Sequence, residues 1–285
     1  MRTLPISVVF VVSFEALMAV PGMKPSEEIP FRLYRNYMIL VEGRIGPLDG
    51  LTFLIDTGAS APVLSMHTAK RLGLKTQSRK AVAYGREIET KGAIIRELYL
   101  GQTQLGPVPV LIADVASLLP QIGNRIDAII GMNSLIRVPL RIDYESRTLT
   151  LRPPDSLPLS SRIEVQASLP VITVLLEDEP VRLLLDTGAE QLIVFGDRHK
   201  GNRKQTVLGS KTLYHIGVQD ELKWVRYGTL TIGDSRREQV DAYRLDAPIS
   251  PYPGMEGIEG IAGVASLGFN SVQFDWDQDR MSWIP

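Results

Sequence analysis

Short runs rich in valine, isoleucine, leucine and tyrosine recur along the chain, each closed by glycine, proline or asparagine. That alternation of apolar run and turn residue predicts β-strands joined by tight turns, so the fold expected is mainly β. One stretch departs from it: Ser65 to Leu72, with Ala69 inside and Gly73 as a stop, predicts a short helix. The periodicity lapses over Pro153-Pro154-Asp155-Ser156-Leu157-Pro158. Two successive prolines fit neither a strand interior nor a helix, so this segment is read as a linker with a boundary near Pro158.

The apolar runs come in the same order twice. Leu98-Tyr99-Leu100-Gly101 recurs as Leu230-Thr231-Ile232-Gly233, Ile129-Ile130-Gly131 as Ile261-Ala262-Gly263, and Ile142-Asp143-Tyr144 as Phe274-Asp275-Trp276. All three are offset by 132 (233 − 101, 263 − 131, 275 − 143). Asp-Thr-Gly-Ala stands at Asp56 to Ala59 and again at Asp186 to Ala189, offset by 130 (186 − 56). Each copy directly follows an apolar run, Leu51 to Ile55 and Val181 to Leu185, and is followed by an apolar pair, Val63-Leu64 and Ile193-Val194. The counterpart of the predicted helix, around Gly196 to Lys204, is polar and basic and reads as a loop. A chain of 285 residues is long enough for two domains, and the repeat predicts two.

A single Asp-Thr-Gly reads first as an Asx-type turn closing a strand. Its duplication, with the second glycine motif repeated behind it, favours chemistry instead. An aspartate at the end of a buried strand is fixed where strand meets turn, the glycine permits close backbone approach, and the threonine hydroxyl can bond across to its counterpart. Two such carboxylates, one from each copy, suit a hydrolase that activates water between acids sharing one proton.

On these residues the chain from Arg35 to Pro285 resembles the aspartic proteases of the retropepsin and pepsin type, in particular the bacterial retropepsin-like proteins. The resemblance implies two retropepsin-like β-barrel lobes in tandem, residues 30–153 and 162–285, in a pepsin-like bilobal arrangement. It implies a catalytic pair Asp56 and Asp186, with Thr57, Gly58, Thr187, Gly188, Gly131 and Gly263 as its support. A flap would fall at Tyr84-Gly85 and Ile216-Gly217, which read equally as ordinary hairpin turns. Pepsin-like enzymes usually carry Ser or Thr after the glycine, whereas Ala59 and Ala189 stand here, as in retropepsins. Without that hydroxyl the pair should be less acidic, with activity at mildly acidic to near-neutral pH. The next position is Ser60 in one copy and Glu190 in the other; Glu190 is either a substrate contact or a solvated charge. The expectation is a monomeric aspartic endopeptidase acting on peptides or proteins. The competing readings are a peptide-binding protein without turnover and a site assembled between two chains.

Composition removes other classes. With 31 basic and 32 acidic residues the net charge is −1, which gives no reason to expect nucleic acid as a partner. No cysteine is present, excluding disulfides, thiolate metal sites and cysteine nucleophiles. The histidines His67, His199 and His215 are scattered without ligand spacing, so neither metal nor organic cofactor is implied. At the N-terminus, Arg2, the apolar stretch Ile6 to Phe14 and the small residues Ala16 and Ala19 form a secretory pattern over 1–22. Glu15 interrupts it, leaving an uncleaved anchor or a buried strand as alternatives; the stretch is short for a membrane span, and none is expected. The protein is therefore expected to be exported, periplasmic or secreted.

Overall fold

The computed structural model describes residues 26–83, 86–118, 126–196, 205–215, 218–246 and 254–285. The chain is mainly β. Its first half runs β1 (Glu27–Tyr34), β2 (Met38–Ile45), β3 (Leu48–Ile55), β4 (Val63–Ser65), α1 (Met66–Arg71), β5 (Gln77–Ala83), β6 (Arg86–Ile95), β7 (Leu98–Leu100), β8 (Thr103–Gln104), β9 (Val108–Ala113), α2 (Val115–Leu118), β10 (Ala128–Ile130), α3 (Met132–Leu135), β11 (Leu140–Asp143) and β12 (Thr148–Leu151). After residues 152–158, which carry neither helix nor strand, come β13 (Leu159–Gln166), β14 (Leu169–Leu176), β15 (Glu179–Asp186), β16 (Leu192–Phe195), β17 (Gln205–His215), β18 (Val218–Ile232), β19 (Ser235–Leu245), β20 (Gly260–Gly263), a 3₁₀ turn (Val264–Leu267), β21 (Ser271–Asp275) and β22 (Arg280–Ile284).

The last three residues before each Asp-Thr-Gly, Phe53 to Ile55 and Leu183 to Leu185, are all apolar because β3 and β15 are buried on both faces there. Leu51, Phe53 and Ile55 point into a central core, whereas Leu54 points into a smaller cluster on the other side with Met38, Leu40 and Ile129. In the second half Val181, Leu183 and Leu185 enter the central core, and Leu184 joins Leu169, Val171 and Ile193 in a third cluster. The central core draws on both halves, from Ile29 to Trp283.

The local connection around each Asp-Thr-Gly is the same. Strand β10 runs parallel to β3, with Ile130 opposite Ile55, and antiparallel to β4, with Ala128 opposite Leu64. Strand β20 likewise runs parallel to β15, with Ala262 opposite Leu185, and antiparallel to β16. A strand inserted between the two arms of a loop fixes both ends of that loop.

A six-stranded antiparallel sheet joins the halves in the order β1, β12, β11, β21, β22, β13. At its centre Arg141 of β11 stands opposite Gln273 of β21, 132 positions further on (273 − 141). The Arg141 guanidinium donates from Nε and Nη2 to the Gln273 Oε1, at 3.0 and 2.8 Å.

The predicted helix is α1: the Ser65 hydroxyl oxygen caps it by accepting from the Thr68 N–H at 3.1 Å, and Gly73 ends it at φ +60°. Residues 197–204, read as a loop, lie outside the described residues, as does the expected export segment 1–22. Among the described residues no helix is long and apolar enough to cross a membrane.

Candidate active site

Strands β3 and β15 carry their apolar runs to the centre of the molecule and end on Asp56 and Asp186, 1% and 0% exposed. Each aspartate closes its own turn. The Gly58 N–H donates to Asp56 Oδ1 at 2.9 Å, and the Gly188 N–H donates to Asp186 Oδ1 at 2.7 Å. The Asx turn is therefore real in both copies, and it is also what aims the second carboxyl oxygen of each residue away from its own backbone.

The threonines lock the two turns together. The Thr57 hydroxyl donates to the Leu185 carbonyl at 2.8 Å and accepts from the Thr187 N–H at 3.0 Å. Reciprocally, the Thr187 hydroxyl donates to the Ile55 carbonyl at 2.9 Å and accepts from the Thr57 N–H at 3.1 Å. Each hydroxyl meets its counterpart threonine at the backbone N–H and gives its own proton to the carbonyl just before that turn, since a hydroxyl between a carbonyl and an N–H uses both its donor and an acceptor lone pair. All four bonds are buried, so losing one hydroxyl strands a buried N–H and a buried C=O. Thr57→Val should therefore lower unfolding stability by about 2 kcal/mol, and Thr57→Ser should keep most of it. Urea unfolding of the two variants side by side checks this; equal stability would mean that the bonds do not carry the junction.

The glycines allow the close approach. A Cβ on Gly58 would lie 2.3 Å from Asp186 Oδ2, and one on Gly188 would lie 3.0 Å from Asp56 Oδ1. Each turn thus rests on the other half's carboxyl, bringing the two carboxyls within hydrogen-bonding reach of one another. Burial is the main reason that the Asp56 carboxyl titrates well above the usual aspartate range, reinforced by the charge of Asp186 and by the bond between the two side chains. The Gly58 and Ala59 N–H groups pull the other way without prevailing. Two carboxyls so placed hold one proton between them, and the titration belongs to the pair.

Gly131 and Gly263 stand directly behind the turns. A Cβ on Gly131 would lie 2.5 Å from the Ala59 carbonyl oxygen and 2.7 Å from Ala61 backbone atoms; on Gly263 it would lie 2.5 Å from the Ala189 carbonyl oxygen. The Asp56 N–H bonds the Ile130 carbonyl at 3.1 Å, the Met132 N–H bonds the Ala59 carbonyl at 2.8 Å, and the Gly263 N–H bonds the Gln191 carbonyl at 3.0 Å. The backing strands are hydrogen-bonded onto the loops they support.

Glu190 is half-buried beside this pair, and its charge acts on the phenols of Tyr37 and Tyr243. Tyr37 lies in the core cluster that includes Met38, Leu40 and Ala59, and Tyr243 packs against the cluster that includes Ala189 and Ile193. Tyr84, Gly85, Ile216 and Gly217, read as flap tips, lie outside the described residues; the strands leading to them pair as far as Ala83 with Arg86 and His215 with Val218.

Residues 41–134 match the aspartyl protease family, a segment that contains both Asp56–Gly58 and Ile129–Gly131. The aspartic proteinase from Irpex lacteus superposes over 91% of this chain and 97% of its own, with a TM-score of 0.53 and 14% sequence identity. A retropepsin-like aspartic protease from Rickettsia conorii matches over 45% of this chain and 91% of its own, with a TM-score of 0.34 and 21% identity. No curated protein matches the chain in sequence. The chain has the fold of a pepsin-like aspartic proteinase, and its residues 41–134 are similar to the aspartyl protease family.

Proposed function

We propose that the protein is an aspartic endopeptidase whose catalytic pair is Asp56 and Asp186, one from each of two lobes, 30–153 and 162–285, that repeat one unit within a single chain. The observation that carries this reading is the two buried carboxyls in mutual hydrogen-bonding reach, held by reciprocal threonine bonds. The ionised carboxylate takes a proton from water as the water oxygen adds to the scissile carbonyl carbon, and the protonated carboxyl gives its proton to the carbonyl oxygen. Collapse of the resulting diol breaks the C–N bond, with the departing nitrogen taking up a proton from one carboxyl while a diol hydroxyl returns a proton to the ionised carboxylate, so that the pair ends with the single proton it began with. The substrate is a peptide or protein, no cofactor takes part, and a monomer suffices because both acids come from one chain. The secretory pattern at residues 1–22 supports an exported protein.

Cleavage of a denatured protein by the purified chain, followed from about pH 3 to about pH 8, tests the reading. The singly protonated pair is the competent form. The raised Asp56 titration extends that form upward in pH, so the rate should peak at mildly acidic to near-neutral pH and fall as the last shared proton is lost. A maximum below about pH 3 would contradict the raised titration. A chain inert throughout, yet able to bind unfolded peptides, would instead be a binding protein with a protease-like cleft.

A further inference from the structure

Each half carries an acidic residue at the same place behind its Asp-Thr-Gly turn. Asp127 stands two residues before Ile129-Ile130-Gly131 and Glu259 two before Ile261-Ala262-Gly263, 132 positions apart (259 − 127). Both grip the strand that leads to the aspartate, at the residue four positions before it. The Asp127 N–H donates to the Thr52 carbonyl at 2.8 Å, and the Thr52 N–H donates back to Asp127 Oδ2 at 3.0 Å. In the other half the Glu259 N–H donates to the Arg182 carbonyl at 2.7 Å, and the Arg182 N–H donates back to Glu259 Oε2 at 3.2 Å. Strands β10 and β20 begin at Ala128 and Gly260, opposite Phe53 and Leu183. The ladder therefore stops one residue short of Thr52 and of Arg182, and a carboxylate supplies the acceptor that a longer strand would have supplied from its backbone.

The same two residues hold the other arm of each loop. The Ser65 N–H donates to the Asp127 carbonyl at 2.9 Å, and the Phe195 N–H donates to the Glu259 carbonyl at 2.8 Å. Ser65 lies nine residues after Asp56, and Phe195 nine after Asp186. One acidic residue in each half thus joins the chain four residues before the aspartate to the chain nine residues after it, closing the neck of the loop that presents the carboxyl. In the first half the carboxylate also ties in α1, because the Thr68 hydroxyl donates to Asp127 Oδ1 at 2.9 Å. These bonds end on backbone and on Thr68, so what they contribute to cleavage passes through the loop.

We infer that Asp127 and Glu259 are positioning residues for the catalytic pair: each fixes the neck of its loop, and through it the approach of Asp56 and Asp186 to one another. The inference rests on the endopeptidase reading and adds two residues that act without touching the substrate. That approach leaves little slack. A Cβ on Gly58 would already lie 2.3 Å from Asp186 Oδ2, so a loop that shifts by a fraction of an ångström changes how the carboxyls meet. What the neck requires is an acceptor at a set distance, since a backbone N–H asks for a lone pair and not for a charge.

The test uses the full chain and a peptide spanning a bond that the chain cleaves in a denatured protein. The constants kcat and KM are measured separately, well below the unfolding temperature, and corrected for the folded fraction by circular dichroism. Asp127→Ala and Glu259→Ala should each lower kcat roughly 10- to 100-fold while KM stays within about 2-fold. Asp127→Asn and Glu259→Gln keep an amide oxygen for the strand N–H and should recover most of that loss. The pH at which the rate declines should also move down in the alanine variants, because carboxyls set further apart hold their shared proton less tightly. The groups that face Asp56 are Asp186 across the junction and the Gly58 and Ala59 N–H groups of its own turn. Position on the pH axis does not depend on how many molecules are folded, so a merely stabilising role would leave it in place. Parental kcat and pH profile in folded alanine variants overturn the inference while leaving the protease reading intact, as does a loss that the folded fraction accounts for or that the amide variants do not recover. Where an alanine variant fails to fold, Asp127→Glu or Glu259→Asp, which move the acceptor by one methylene, takes its place: a lower kcat at parental KM upholds the inference, and a parental kcat overturns it. If the parent chain cleaves nothing, the protease reading fails, and carbon-13 NMR of the chain with labelled aspartate carboxyls, assigned with Asp56→Asn, still decides the positioning: a lower Asp56 titration in Asp127→Ala upholds it, and an unchanged one overturns it.

Discussion

Asp56→Asn and Asp186→Asn are each expected to slow cleavage of a denatured protein by roughly 10³-fold or more, because either change removes a group that must exchange a proton in the reaction. An amide fits the same space, so the fold should persist. The sign of the stability change can be worked out for Asp56. Its carboxyl titrates higher in the folded chain than in the unfolded chain, so the folded state holds the proton more tightly. The associated stability is fully present below the ordinary aspartate range and is lost as pH rises through the folded titration. At neutral pH, therefore, Asp56→Asn should be at least as stable as the parent, while more acidic solution should shift the comparison in favour of the parent. Steady-state proteolysis combined with urea unfolding at two pH values checks both halves of this expectation. A variant that cleaves at the parental rate would remove the pair from the mechanism, and one that fails to fold would leave the loss of activity uninformative.

Gly131→Ala and Gly263→Ala should have the largest effects on stability. Both residues have ordinary backbone angles, φ −93° and −60°, so the objection to a side chain is spatial, not conformational. The atoms in the way are backbone atoms of the Ala59–Ala61 and Ala189–Gln191 segments, which cannot rotate aside as a side chain would. Each substitution should lower stability by about 3 kcal/mol, or roughly 6 °C in Tm, and should weaken activity by displacing the loop that carries an aspartate. Gly50 provides the contrast: it lies at φ +66° with nothing within 4 Å of a built Cβ, so Gly50→Ala meets strain alone, about 1 kcal/mol. Thermal unfolding of the three variants separates crowding from strain, and equal shifts would refute the crowding argument.

The parts of this molecule visible in its sequence are those set by local burial and local turn chemistry. The strands leading to Asp56 and Asp186 were legible because burial on both faces leaves three successive apolar residues, Phe53 to Ile55 and Leu183 to Leu185, with a turn signal at their end. Helix α1 was legible because Ser65 caps it and Gly73 ends it. Partners chosen across the chain were not legible. Nothing in the pattern of Leu140 to Asp143 says that β11 pairs with β21, since an edge offers the same backbone groups to any strand. The carbonyl partners of the threonine hydroxyls, Leu185 and Ile55, were not legible, because the sequence does not reveal how closely the two backbones approach. The extra residue in the turn between β1 and β2, compared with that between β13 and β14, was not legible either, because it alters direction without altering composition.

The central pair of the six-stranded sheet joins two unlike residues, Arg141 and Gln273, at positions that correspond in the two halves. Were two copies of the first half to associate in the same way, each arginine would confront its own twin, and like charges directly opposed across strands repel. Joining the halves in one polypeptide lifts the requirement that the interface be self-complementary, so that a cation can meet an amide acceptor there. The same licence extends outward to every place where the halves differ. One of them holds Glu190 where the other holds Ser60, so the two sides of the junction need not be alike.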